Sequence, residues 1–423
     1  MSRLAGHCVV AQSGGPTAVI NASVCGVIQT ALKHPEVFTG VYGANHGILG
    51  VLNEDLFDLG KEDRAVIDAL KRTPSSALGT CRYKLKSIEK SRVDYERIVK
   101  VFKTHDIRYF FYAGGNDSMD TADKISQLAG QMGYDLVAIG VPKTIDNDLP
   151  MTDHCPGFGS AAKYAATSVM EAGRDTEAIS AKKDYSAIVE IMGRHAGWLA
   201  AATGTAHRDE KDAPHLVYLP EVAFSIERFI ADVRDVIRQV GFCVIAVGEG
   251  IRDDKGKLLA EVGGQFAKDA FGHTQLGGAS ETLREIVENE VGIKCRTIKL
   301  GNCQRQAMHF ASLTDVNEAW QCGAAAVEAA LAGHNCKMVT LVRGGNGPED
   351  YSCSTGLADL SSVANHEKLV PRSFINQTGN HITQAMRDYV MPLMRGQAPI
   401  DIGPDGLPIY PRLRGFAIPK KVT

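Results

Sequence analysis

Six short apolar runs in this chain stop at glycine or at a polar cluster, and most lead into a segment with helical periodicity. The run 8–11 meets Ser13-Gly14-Gly15-Pro16-Thr17, and a helix is expected from 19 to 32. The run 109–113 meets Gly114-Gly115-Asn116-Asp117-Ser118, with a helix expected over 118–131. The run 136–141 meets Pro142-Lys143-Thr144-Ile145-Asp146-Asn147-Asp148. The runs 187–192, 242–247 and 295–300 end at Gly193-Arg194-His195-Ala196-Gly197, at Gly248-Glu249-Gly250 and at Gly301-Asn302-Cys303-Gln304-Arg305. Unbroken runs of this length read as strands buried on both faces. Their alternation with helical segments predicts parallel sheets covered by helices on both sides. Open sheets of that kind bind ligands beyond the carboxyl ends of their strands. That is where the polar clusters fall.

The same reading places helices at 64–70, 93–105, 161–171, 226–240 and 319–331, and strands at 216–221 and 337–342. The Pro- and Gly-containing stretch 149–159 is expected to cross between two sheets. From about 345 the chain is less periodic. Pro399, Pro404, Pro408, Pro411 and Pro419 predict an extended, surface-lying end. With 423 residues, 44% of them hydrophobic, the chain can build two or three domains. A net charge of −3 gives no general surface for polyanions, so nucleic acid and acidic membranes are excluded as partners. No basic-then-apolar leader and no apolar run of about 18 residues is present, so a cytoplasmic protein is expected. The ten cysteines form no C-x-x-C pair and read as reduced, mostly buried small hydrophobes.

The strand ends carry a coherent chemistry. The Gly14-Gly15 turn lets backbone approach a phosphate and aims N–H groups at it. Asp146 is a carboxylate that can take a proton from a hydroxyl. Asp148 is a candidate oxygen ligand for magnesium (Mg2+). Lys143 suits a transferring phosphoryl group, and Asn116 and Asp117 add oxygens nearby. Arg194 suits a phosphate monoester, Glu249 can accept from sugar hydroxyls, and Arg296 and Arg305 add positive charge. Taken singly, each has a plainer reading: a turn former, a helix cap or a solvated side chain. Their recurrence at several strand ends argues for one phosphoryl-transfer site.

In this set and order the motifs resemble the phosphofructokinase family over roughly residues 6–330. They are Ser13-Gly14-Gly15, Gly114-Gly115-Asn116-Asp117-Ser118, Thr144-Ile145-Asp146-Asn147-Asp148, Met192-Gly193-Arg194, Gly248-Glu249-Gly250 and Gly301-Asn302-Cys303-Gln304-Arg305. The resemblance implies two Rossmann-like three-layer α/β/α domains with the active site in the cleft between them. Residues 1–160 with about 304–380 would bind the phosphoryl donor, and 161–303 with about 381–423 would bind fructose 6-phosphate. It implies Asp146 as base on the sugar 1-hydroxyl, with Thr144 and Asp148 bracketing substrate and metal. Met192, Gly193, Arg194 and Glu249 would hold fructose 6-phosphate, and Arg296 and Arg305 would lie near its phosphate and the transferred group. Gly14, Gly15, Arg82 and Gly115 would bind the donor, and Asn116 and Asp148 the Mg2+. A homodimer or homotetramer is implied.

Two positions bear on the donor. ATP-using members resemble Gly-Gly-Asp-Gly-Ser and carry glycine before Thr-Ile-Asp. Here Asp117 and Lys143 replace those two glycines, as in the pyrophosphate-using branch. A carboxylate at 117 would collide with a nucleotide's α-phosphate, and a lysine at 143 adds charge for pyrophosphate. The chain departs from the family pattern at Asn116, Asn302, Gln306-Ala307 and Tyr185, the last standing where ATP enzymes place an arginine that reaches a neighbouring subunit. An ATP-dependent enzyme of the family, a non-catalytic sugar-phosphate-binding subunit, and an NAD or lipid kinase are the alternative readings.

Overall fold

The computed structural model describes residues 4–422 apart from 84, 87, 181–183, 263–277 and 346. The described strands form two sheets. The first contains β1 (Gly6–Gln12), β2 (Phe38–Ala44), β3 (Leu56–Asp58), β4 (Ile107–Gly114) and β5 (Val137–Pro142). The second contains β6 (Tyr185–Ile191), β7 (Leu216–Tyr218), β8 (Phe242–Gly248) and β9 (Lys294–Lys299), in the order β7-β8-β6-β9 and all parallel. The chain then returns with β10 (Lys337–Gly344) and β11 (Ser352–Asp359), so the first sheet reads β11-β10-β5-β4-β1-β2-β3. Its central strands are parallel, but β3 and β11 at the two edges run antiparallel to their neighbours. The expected parallel arrangement thus holds through both sheets, and the first adds an antiparallel strand at each edge.

Strand order explains the position of the loops. In the first sheet β1 is followed by β2 on one side, whereas β4 lies on the other side with β5 beyond it. The loops after β1 and β4 thus diverge and leave a crevice at the switch point. The second sheet switches around β6, which has β8 and β9 on opposite sides. As expected, 149–159 crosses between the sheets and enters the helix Phe158–Ile179.

Packing is tightest where the helices Ile20–Ala31 and Leu313–Leu331 cross. The first is buried almost all round. A Cβ on Gly26 would lie 2.2 Å from the Trp320 carbonyl oxygen, and one on Gly323 would lie 1.9 Å from that of Ser23. Reciprocal glycines therefore let the two backbones touch. The helix Leu313–Leu331 begins six residues before the expected 319 because Ser312 caps it, its Oγ accepting from Asp315 N.

The closing segment divides differently from the expected grouping of 381–423 with the second sheet. The helix Gln384–Val390 does pack in the core around that sheet through Met386 and Val390. The last residues instead follow the edge of the first: Ala417 bridges Phe57, and Glu54 accepts from the backbone N–H of Lys421 and Val422. Conversely Val370 and Ile375, expected with the first sheet, lie in the second core.

Candidate active site

Six strand-end loops converge on one cleft of about 700 Å3. After β1, Gly14 takes φ +76, open to glycine at little cost, and Thr17 Oγ1 accepts from Ile20 N at 3.0 Å to cap the next helix. After β4, a Cβ on Gly114 would lie 1.9 Å from Ser118 Oγ, so only glycine lets the chain turn there. Gly115 then caps the helix Asn116–Gln131, whose first turn carries the exposed Asp117. Its unsatisfied N–H groups and the positive end of its dipole favour an anion.

The loop after β5 carries the titratable groups. Lys143 is only 3% exposed, and its Nζ donates to Gly15 O at 2.9 Å. Burial lowers its pKa to about 8, against the opposing charge of Asp146. Asp146 N donates to Thr144 Oγ1 at 3.0 Å. Burial raises the Asp146 carboxyl to about 7, and the charges of Asp148 and Glu249 add to this. Burial also raises Asp148 and Glu249. A carboxylate poised near neutrality beside a depressed lysine is suited to moving a proton while charge develops on phosphate.

The second sheet supplies the opposite wall. Gly193 takes φ +135, and its N–H donates to Glu249 Oε1 at 3.3 Å. Gly250 passes so close that a Cβ would lie 2.0 Å from Arg194 O. Gln304 holds this wall to the loop after β9, accepting from Met192 N at 3.1 Å and donating to Gly301 O at 3.0 Å. Arg305 faces Gly15, where a Cβ would meet its guanidinium at 3.0 Å.

Of the residues expected from the sequence, Gly14, Gly15, Arg82, Gly115, Asn116, Asp117, Lys143, Thr144, Asp146, Asp148, Met192, Arg194, Glu249 and Arg305 all line this cleft. Gly193 stands just behind it as a hydrogen-bond donor to Glu249. Arg296 does not join it. It lies on the edge strand β9, on the face towards the helix Phe158–Ile179, and pairs at 3.5 Å with Asp175 of that helix, both exposed. The cleft also has walls without a role read from the sequence: His195, within a strand-end cluster, and Tyr83, Thr121 and the segment Asn365-His366-Glu367. That segment is fastened by Lys368 N donating to Asp148 O at 2.7 Å, and His195 Nδ1 lies 3.7 Å from Glu367.

The sequence matches the phosphofructokinase family (Phosphofructokinase) over residues 7–330. The chain belongs to the phosphofructokinase family. A relative from Xanthomonas campestris pv. campestris, named pyrophosphate–fructose 6-phosphate 1-phosphotransferase, is 49% identical over 99% of this chain and 98% of its own. One of the same name from Halomonas elongata is 47% identical over 97% of each chain. The crystal structure of a pyrophosphate-dependent phosphofructokinase from Nitrosospira multiformis superposes with a TM-score of 0.90 at 44% identity, covering 99% of both chains.

The donor set of this phosphofructokinase cleft fits a hard divalent cation. Asn116 Oδ1 is buried with no hydrogen-bond partner among the described residues, and Asp146 and Asp148 offer carboxylate oxygens on the same cleft. No described helix is long and apolar enough to cross a membrane. All ten cysteines are free thiols, and seven are buried.

Proposed function

We propose that this protein transfers a phosphoryl group from pyrophosphate to the 1-hydroxyl of fructose 6-phosphate. The products are fructose 1,6-bisphosphate and phosphate, and the reaction runs in either direction. The observation that carries the choice of donor is the pair Lys143 and Asp117 on one cleft. Lys143 sits beneath the Gly14-Gly15 turn, bonded to Gly15 O. Asp117 occupies the first turn of the helix that would receive a nucleotide's phosphates. The full-length relatives support the same choice.

In this reading the loops of the first sheet hold pyrophosphate: Gly14, Gly15 and Gly115 through backbone N–H groups, Arg82 and Lys143 through charge. Met192, Gly193, Arg194 and Glu249, on the second sheet, hold fructose 6-phosphate. Asp146 takes the proton of the 1-hydroxyl as its oxygen attacks phosphorus. Lys143 and Arg305 stabilise the charge that spreads over the transferred group and the leaving phosphate. Asn116 and Asp148 would hold magnesium, which when bound supplies Lewis-acid neutralisation of the phosphate oxygens. Arg296, on an exposed edge strand, fits a role across a subunit interface rather than in its own cleft. A homodimer or homotetramer is the assembly this reading takes from the family resemblance. The free cysteines support a cytoplasmic setting.

The test is turnover of fructose 6-phosphate by the isolated chain with pyrophosphate and with ATP. Pyrophosphate should be preferred by orders of magnitude. A preference for ATP would overturn the donor assignment, and no turnover with either would favour a regulatory subunit.

A further inference from the structure

Between the two acids of the loop lies a residue the proposed reaction does not use. Asn147 is fully buried and takes φ +53, a left-handed conformation in which it turns away while Asp146 and Asp148 line the cleft. Its Oδ1 accepts from Cys155 N at 2.9 Å, and its Nδ2 donates to the Tyr389 hydroxyl at 2.9 Å. That hydroxyl donates onward to Asp153 O at 2.7 Å. The Asp153 carboxylate is held in turn by Arg343 Nε at 3.0 Å and by His154 Nδ1 at 2.8 Å. Arg343 sends a second arm back to Tyr389 O at 3.0 Å, with its guanidinium over the Tyr389 ring. Arg343 and Tyr389 both lie beyond residues 7–330, the part matched to the family.

The Asp146 carboxylate, by contrast, receives no hydrogen bond from the described residues. Its direction depends on the backbone on either side of it: the tether to Thr144 before, and the left-handed Asn147 after. We propose that Tyr389 is a positioning residue for phosphoryl transfer, its hydroxyl fixing Asn147 and thereby the direction in which Asp146 and Asp148 face the substrates. The inference rests on the reading of Asp146 as base. Because Tyr389 belongs to a helix on the second sheet's core and Arg343 to β10 of the first, the loop is aimed by a joint between the two.

Tyr389→Phe tests this with little risk to folding, since the ring keeps its neighbours Phe158, Trp198 and Phe374. Kinetics with both substrates and a thermal melt should be measured beside Asp146→Asn. We expect kcat to fall about tenfold or more, with both KM values within about twofold and the melting temperature within a few degrees. Arg343→Lys, which keeps the charge and loses the fork, should show a smaller loss confined to kcat. Wild-type kcat in Tyr389→Phe, whether or not the melting temperature falls, overturns the positioning role. So does a loss confined to KM. Full turnover in Asp146→Asn would instead remove the base reading, and the positioning inference with it.

Discussion

Lys143→Met separates the catalytic worth of a buried charge from its structural cost. Lys143 is 3% exposed, and burial lowers its pKa from 10.5 to about 8. At pH 7 about nine in ten molecules still carry the charge. A unit charge about 4 Å from a phosphoryl oxygen, at an effective dielectric of about 20, contributes about 4 kcal/mol. The bond to Gly15 O engages part of the ammonium, so the usual worth of one preorganised donor, about 100- to 1,000-fold in kcat, is the expected loss. The fall in pKa also means that ionising this lysine in the folded chain costs roughly 3 kcal/mol. Methionine fills a similar volume without that cost, although Gly15 O loses a partner worth about 1 kcal/mol. Thus Lys143→Met should lose pyrophosphate-dependent turnover while its melting temperature holds or rises by a few degrees. The wild-type rate should also decline as pH rises through about 8, where the lysine deprotonates, and the variant should lack that limb. A coupled assay of fructose 1,6-bisphosphate formation from pH 6 to 9, with a thermal melt, reads all three. Activity within threefold of wild type, or a collapse in stability, would refute the reasoning.

Gly26→Ala and Gly323→Ala each drive a methyl group into a backbone carbonyl, so each should destabilise the fold by about 1–3 kcal/mol, read as a lowered urea midpoint. A loss below about 0.5 kcal/mol would mean the helices separate freely. The Asp153 carboxyl lies at about 2, since hydrogen bonds from His154 and Arg343 outweigh burial, and His154 is raised because two carboxylates outweigh the same penalty. The Asp153 contribution, up to about 2 kcal/mol, is present above its unfolded value of 3.8 and fades as pH falls towards 2. The His154 contribution is present below 6.5 and fades as pH rises through its raised folded value. The stability difference between wild type and His154→Gln should therefore peak between about pH 4 and 6.5. A difference independent of pH would sink this account.

The loops after β1, β4, β5, β6, β8 and β9 were legible because buried parallel strands write themselves as unbroken apolar runs, and glycine marks where the backbone must turn. β2 and β11 were not. Glycines interrupt the first at Gly40 and Gly43, and the second is a largely exposed edge strand of serine, threonine and glycine. Neither offers a hydrophobic run or a clean alternation. Arg296 shows a different limit: a residue's place along a strand does not say that the strand lies at the sheet edge, away from the cleft. Asn365, His366 and Glu367 carry no local pattern at all. They reach the cleft only because Lys368 is tied to Asp148 and Asn365 to Asp120, long-range contacts that no window of sequence contains. Which sheet each part of the tail packs against is likewise decided by long-range contacts, such as those of Val370 and Met386 in the second core and of Ala417 with Phe57.

The crossing of the helices Ile20–Ala31 and Leu313–Leu331 acts as a gauge block. One helix grows from the Ser13–Thr17 loop, and the other begins eight residues after Arg305. Ala18 N donates to Arg305 O at 2.7 Å, and the Arg305 guanidinium faces Gly15. With backbone against backbone at Gly26 and Gly323, the helices have no side-chain cushion through which to drift. The spacing between the donor loop and its arginine is thereby set to the thickness of bare peptide. Thickening that joint by one methyl group should be felt as a changed pyrophosphate KM, at a distance from any residue that touches the substrate.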